Sequence, residues 1–139
     1  MLTLQPEIVE QYVKTGQVQL VFWPVLNHGN ASVAASVTLE CVAQQSFEQA
    51  WALHHNMFSN VAALYGASWD DYINYALQVG ANQELFEACY DGEEALQLVL
   101  DLDQIRRERG VRGQPYFHVG DTLLAGTAQL MSTIVAELE

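Results

Sequence analysis

The two cysteines are the residues of this sequence best suited to redox chemistry. Cys41 and Cys89 stand 89 − 41 = 48 positions apart, so they form neither the CxxC spacing of a dithiol centre nor the ligand spacing of a zinc site. An even count of two permits one disulfide. Three interpretations therefore stay open: a structural disulfide, two buried free thiols that pack as small apolar side chains, or a redox-active site.

The four histidines do not group into a metal site. His54 and His55 are adjacent, so on a helix they point about 100° apart and cannot chelate one ion together. The same helical face as His54 carries three aromatic residues: Phe47, Trp51 and Phe58. We therefore expect His54 to be a hydrogen-bonded core residue, and we place His28 in a loop and His118 in a strand. The sequence has no Ser/His/Asp order, Walker motif or glycine-rich phosphate loop, and we predict no metal and no cofactor.

Apolar spacing predicts helices over most of the chain. A first helix has Pro6 in its first turn and ends at Gly16. Gln17–Trp23 alternates and is apolar on both sides, which is typical of a strand covered on both faces. After a loop at Leu26–Asn30, helical segments continue as far as Gly110.

Two of these helical segments carry further signals. Ser68 and Asp71 have the spacing of a capping box at the start of one helix. Another helix begins at about Glu93, and its apolar side is predicted to face inward: Ala95, Leu98, Val99, Leu102 and Ile105.

The pattern changes to a period of two after residue 115. Tyr116–Val119 and Thr122–Leu124 read as two strands around a Gly120–Asp121 turn, and a last helix starts at Gly126–Thr127. A strand that crosses over helices to reach a hairpin, followed by a terminal helix, is an α/β arrangement.

Charge excludes several classes of function. Five basic and seventeen acidic residues give a net charge of −12, which argues against binding to nucleic acid or to anionic lipid.

No apolar stretch approaches the roughly 20 residues of a membrane helix. Met1–Glu10 has no basic flank, so no signal peptide is visible there. The apolar half of the composition predicts a folded domain.

The basic residues are concentrated near one end of the chain. Residues 1–105 hold Lys14 and thirteen acids, whereas residues 106–139 hold four arginines and four acids. The arginines are Arg106, Arg107, Arg109 and Arg112. They are explained either by the negative end of a helix dipole or by an anion- or partner-binding rim beside Gly113–Pro115.

Six short segments follow one another along nearly the whole chain: Tyr12–Val18, Glu40–Ala43, Trp51–Phe58, Gly80–Cys89, Val111–Asp121 and Gly126. In this order they resemble segments of DsbA-like proteins of the thioredoxin fold, which are thiol–disulfide oxidoreductases. The resemblance implies an α/β, thioredoxin-like (DsbA-type) fold in one domain, residues 1–139. Residues 28–109 would form a mostly helical insertion, and residues 110–139 the cis-proline loop, hairpin and C-terminal helix.

The resemblance also implies a binding site in this chain. It predicts a cis Gln114–Pro115 bond and assigns Gly113, Gln114 and Pro115 to the loop that holds an extended peptide or protein substrate. Gln114 stands where the family usually has Thr, which puts the family's selectivity in doubt. Some family members bridge the two positions that match Cys41 and Cys89, so a structural disulfide is one expectation.

The family's CxxC motif and the central strand before it have no counterpart in this chain. That strand would lie between the strands matching Gln17–Trp23 and Tyr116–Val119, so both would lose a partner. Unpaired buried backbone groups cost about 1–3 kcal/mol each. Three arrangements would compensate: direct pairing of the two strands, a homodimer, or further chain upstream. We favour the third, an N-terminally truncated chain, because the first helix starts without a cap.

The resemblance suggests an oxidoreductase in which a low-pKa thiolate attacks a substrate disulfide and a second cysteine resolves the mixed disulfide. Without CxxC, we expect no catalytic residue and no dithiol activity in the chain as it stands. The alternatives are a non-catalytic module that binds peptides or dimerises, and a relative of the kappa-type glutathione transferases and isomerases. The family is mostly extracytoplasmic, whereas this sequence shows no export signal, so the localisation stays unassigned.

Overall fold

The computed structural model describes residues 3–139, and these divide into two compact units. The helical unit is residues 24–105, and the hairpin unit combines the described residues up to 23 with residues 106–139. The predicted insertion, 28–109, falls largely on the helical unit. That the whole chain forms one domain stays a prediction.

Helices make up most of the secondary structure, and a short hairpin precedes the last of them. In chain order the elements are α1 (Leu4–Ile8), continued by a π-helical turn (Val9–Val13), α2 (Gly29–Ala43), α3 (Phe47–Ser59), α4 (Val61–Leu64), α5 (Trp69–Gln78), α6 (Gln83–Asp91), α7 (Glu93–Glu108), β1 (Tyr116–Val119), β2 (Thr122–Ala125) and α8 (Leu130–Leu138). Among residues 3–139, no helix is both long enough and apolar enough to cross a membrane.

Side-chain caps begin three helices of the helical unit. The predicted capping box is confirmed: the Ser68 backbone N–H donates to Asp71 Oδ2 at 2.7 Å, and the Asp71 N–H donates to Ser68 Oγ at 3.3 Å. The Ser46 and Asn82 side chains accept from backbone N–H groups in the same way. Each cap satisfies a donor that the first turn of a helix leaves unpaired.

The core of the helical unit lies around α2, which packs against α3, α5 and α6. Its largest fully buried side chains include Leu53 and Phe86. Two amide side chains, one in the turn between α2 and α3 and one on α3, bond to the turn between α5 and α6. Gln45 accepts from the Asn82 N–H at 2.8 Å, and Gln49 donates to the Gly80 carbonyl at 3.0 Å.

The predicted inward faces are right in part. On α3, His54 is buried, but Phe47 is 77% exposed because the buried stripe is shifted by about one residue. On α7, Ala95 and Val99 are buried, whereas Leu98 and Ile105 of the predicted face are exposed. Apolar spacing alone does not show which part of a broad apolar stripe meets a neighbour.

The hairpin unit has a two-stranded antiparallel sheet among the described residues. β1 and β2 pair as predicted, with Val119 opposite Thr122 and Tyr116 opposite Ala125. Gly120 takes φ +57° in the turn, a conformation that residues with a Cβ rarely adopt. The small core of this unit is Ile8, Leu124, Leu130 and Ile134.

The prediction of a strand at Gln17–Trp23 is wrong: these residues have no regular secondary structure, and Val21 is 63% exposed. An alternating apolar segment becomes a strand only as part of a sheet, and the sheet of residues 3–139 consists of β1 and β2. The last helix also begins later than predicted, at Leu130 rather than at Gly126.

Candidate functional site

The loop between α7 and β1 is held at both ends. Gly110, at φ +78°, ends the helix, and the Val111 N–H donates to the Arg106 carbonyl at 3.2 Å. A second hydrogen bond joins the same two residues, because Nη1 of Arg106 donates to the Val111 carbonyl at 2.8 Å. At the other end the Gly126 N–H donates to the Pro115 carbonyl at 2.9 Å.

Between these ends lie the three residues assigned from the sequence to substrate binding. The Gln114–Pro115 peptide bond is cis, which is the form that the resemblance predicted. Gln114 and Pro115 are exposed, and Gly113 is half-buried beside the Tyr116 ring. The structure therefore places Gly113, Gln114 and Pro115 together on an accessible loop.

The outer edge of β1 continues from this loop. The Pro115 carbonyl accepts a hydrogen bond from Gly126, which directly follows β2, and every second residue along β1 faces the same side. The backbone N–H and C=O groups of Phe117 and Val119 therefore point towards β2. Those of Tyr116 and His118 point away from β2, to the outer edge of the sheet. Within residues 3–139 the sheet has two strands, so this edge has no strand partner.

The arginines next to the loop have different roles. Arg106 is 7% exposed and fixes the loop, a role that the sequence did not reveal because both of its proposed explanations treated the arginines as exposed charges. The guanidinium of Arg109 lies 5.3 Å from the centre of the Trp23 ring, in a cation–π contact. Arg112 is exposed, two residues before Gln114.

A family model described as "Thioredoxin" matches residues 2–136, which is nearly the whole chain. The chain belongs to the thioredoxin family. Neither the curated proteins nor the solved structures contain a match. The family and the helices with their small sheet together identify an α/β, thioredoxin-like fold, and the family suggests a redox-type function.

In this thioredoxin-family chain the two cysteines form a disulfide that joins α2 to α6. The Cα atoms of Cys41 and Cys89 lie 5.6 Å apart, and the bridge is inside the helical unit. Of the three interpretations, the pair of free thiols is wrong, because both sulfurs are in the bridge. The bridge closes a long loop beside a packed core, as a structural disulfide does, and its structural role stays a prediction.

The histidines do not form a reactive cluster in this member of the family. His54 packs between the rings of Trp51 and Phe58, with centroids 5.1 and 4.5 Å away. Burial, and after it the neighbouring His55, lower the pKa of the His54 imidazole to about 4. His28 Nδ1 lies 3.2 Å from the Tyr65 hydroxyl. Among residues 3–139, no three His, Cys, Asp or Glu side chains are placed to hold a metal ion.

Proposed function

We propose that this chain is a DsbA-like member of the thioredoxin family that binds an extended polypeptide at the loop of residues 113–115 and the outer edge of β1. The 139 residues carry out no dithiol exchange by themselves. The observation that carries the proposal is the accessible loop of Gly113, Gln114 and Pro115, which is fixed at both ends. In the 139 residues as they stand, the adjoining edge of β1 has no strand partner among residues 3–139 and can take part in binding. In a longer chain, the upstream strand expected from the resemblance would pair with that edge and leave the loop as the binding site.

Binding by strand addition follows from this geometry. Tyr116 and His118 offer backbone N–H and C=O groups that a second extended chain can pair with. The bond from Gly126 to Pro115 and the contacts between Arg106 and Val111 hold the loop in place before a peptide arrives. A preformed edge reduces the entropy lost on binding.

The expected absence of thiol–disulfide exchange follows from the bonded state of the two cysteines. The sequence contains two, and both are used in the bridge between Cys41 and Cys89. Exchange needs a free thiolate to attack a disulfide and a second thiol to release the product. An insulin-reduction assay of the 139-residue protein should therefore give the uncatalysed rate, and clear turnover would contradict the proposal.

Amide hydrogen exchange tests the binding edge directly. On addition of an extended cysteine-free peptide, we expect the N–H groups of Tyr116 and His118 to become protected. Those of Phe117 and Val119 provide an internal control, because they already face β2. Protection confined to the helical unit, or no protection at all, would show that the proposal is wrong.

A proline substitution provides a second test. His118→Pro removes an N–H from the outer edge, where proline is tolerated because no ladder bond is lost. We expect it to abolish peptide binding while the circular dichroism spectrum is kept. Phe117→Pro is the matched variant, since it removes a bond to β2 and should disrupt the hairpin itself.

A dimerising module is the second candidate function, because the same edge could pair with a second copy. Sedimentation velocity distinguishes the two: a dimer that His118→Pro dissociates, with no peptide binding, would favour the dimerising module.

We also propose an extracytoplasmic location, which the Cys41–Cys89 bridge supports because disulfides persist in oxidising compartments. Alkylation of freshly lysed cells should then find both cysteines blocked.

A further inference from the structure

An open groove lies within the helical unit, between α2 and the junction of α6 with α7. Its volume is about 210 Å³, and apolar side chains form most of its wall. An engineered apolar cavity of roughly 150 Å³ binds benzene, so this groove has room for one large apolar side chain. The residues that line it are Asn30, Val33, Ala34, Val37, Tyr90 and Leu96.

The wall of this groove is held in place from two sides. The Tyr90 ring packs against the rings of Trp69 and Phe86, with centroids 4.3 and 5.7 Å away. The disulfide joins α2 to α6 one helical turn after Val37 and one residue before Tyr90. Because the wall is fixed beforehand, a side chain that enters the groove orders little of the protein, and the entropy cost of binding is small.

Acidic residues adjoin the groove on each helix that lines it. On α7, Glu93 lies three residues before Leu96. On α2, Glu40 lies three residues after Val37, and Asp91 is the last residue of α6. Residues three apart on a helix are neighbours on its surface, so these carboxylates border the apolar wall. The groove is therefore apolar inside and negative at its rim.

No lysine or arginine of the helical unit offsets this charge. Residues 24–105 contain eleven acids and neither basic residue type. Along α7 the first basic residues are Arg106 and Arg107, which start ten residues after Leu96, about 15 Å along the helix axis. The Debye length at physiological ionic strength is about 8 Å, so the acids nearer the groove dominate its electrostatic potential.

We infer that this groove binds a basic segment of a partner polypeptide, which inserts one large apolar side chain and places Lys or Arg beside the acidic rim. Burial of the apolar anchor supplies most of the affinity, and charge complementarity selects basic over acidic flanks. The groove lies outside the loop of residues 113–115, so the inference does not rest on the proposed function.

Fluorescence polarisation with two labelled, cysteine-free peptides tests the inference. Both carry the same apolar centre, and the flanks are either Lys or Glu. An exposed ion pair changes affinity by up to about fivefold, so with several pairs we expect the Lys peptide to bind roughly tenfold more tightly to the 139-residue protein. The ratio should approach one at 1 M salt, where the Debye length is about 3 Å.

Two pairs of variants locate the site. Ala34→Leu fills the groove from α2 and should weaken binding of the Lys peptide by about tenfold or more, whereas Ala52→Leu, at an exposed position of α3, should not. Glu93→Gln should weaken it about twofold, and Glu48→Gln, also an exposed acid in a first helical turn, is the control. If circular dichroism shows that Ala34→Leu disturbs the helices, Leu96→Gln, at a position 38% exposed, replaces it.

The outcomes separate this inference from the proposed function. Loss of binding in Ala34→Leu, with binding kept in His118→Pro, supports the groove. The opposite result would place the Lys peptide at β1 and overturn the inference, as would equal binding of the two peptides or no binding of either. Self-association that Ala34→Leu abolishes would also overturn it, because the groove would then hold a second copy of this chain.

Discussion

The helical unit and the hairpin unit achieve stability in different ways. The helical unit has a disulfide, side-chain caps on α3, α5 and α6, and the larger of the two cores. The hairpin unit has a small core around Leu124 and Ile134 and a two-stranded sheet whose two outer edges have no strand partner among residues 3–139. The candidate site lies in the second unit. Binding edges need backbone groups that are still available, and a thoroughly packed unit has few of them.

The largest difference should come from the core of the helical unit. Phe86 is fully buried, and Leu85 beside it on α6 is 59% exposed. We expect Phe86→Ala to lower the free energy of unfolding by about 3–5 kcal/mol, because it leaves a cavity. Leu85→Ala should cost less than about 1 kcal/mol. Urea denaturation followed by circular dichroism measures both, and similar costs would contradict the assigned core.

Removal of the disulfide should have the next largest effect on stability. Replacing both cysteines by alanine frees a loop of 48 residues in the unfolded chain. The loop-closure term predicts a loss of about 2–4 kcal/mol. Peptide binding by the hairpin unit should be unchanged at temperatures where the variant stays folded. Loss of binding in a folded Cys41→Ala/Cys89→Ala protein would remove the separation of roles between the two units.

His54 makes the stability of the helical unit depend on pH. Its pKa is about 4 when folded against about 6.5 in the unfolded chain, so the unfolded state takes up a proton first as the pH falls. The contribution of His54 to the free energy of unfolding is therefore fully present above pH 6.5. As the pH falls from 6.5 to 4, the free energy of unfolding decreases by up to about 3 kcal/mol, because protonation favours the unfolded chain. His54→Phe should flatten this part of the profile. His55→Gln, an exposed neighbour, should leave it nearly unchanged, and equal profiles for both variants would refute the assignment.

The smallest effect concerns the turn of the hairpin. Gly120→Ala places a Cβ at φ +57° and 2.5 Å from a Glu137 carboxylate oxygen. We expect a loss of about 1–2 kcal/mol, mostly from the backbone because the Glu137 side chain can rotate away. Gly113→Ala is the control, since its Cβ would meet only the Tyr116 ring at an ordinary 3.6 Å. Thermal unfolding should show a shift for the first variant and almost none for the second; addition of Glu137→Ala should restore little.

Local signals in the sequence predicted local structure well. The box at Ser68 and Asp71 and the hairpin around Gly120 are set by neighbouring residues, and both are present in the structure. The strand at Gln17–Trp23 was wrong because its alternation says nothing about whether a partner strand is available. The pairing of Cys41 with Cys89 stayed open for the same reason, since it depends on how α2 and α6 pack.

The conformation of the candidate loop agrees with the resemblance, whereas its role in binding stays a prediction. The loop of Gly113, Gln114 and Pro115 was identified through a resemblance, and the structure places it beside an open edge. The role of Arg106 could not be predicted, because a buried arginine that bonds a carbonyl five residues ahead has the same sequence signature as an exposed one.

The uneven distribution of basic residues also determines how a protease divides the molecule. Trypsin cuts after lysine and arginine, and the chain has none between Lys14 and Arg106. Complete digestion therefore releases residues 15–106 as one piece, with the disulfide and the helical unit inside it. Cleavage after Arg112 puts the loop of residues 113–115 on a different peptide, so one common enzyme separates the disulfide-linked helical unit from the candidate site.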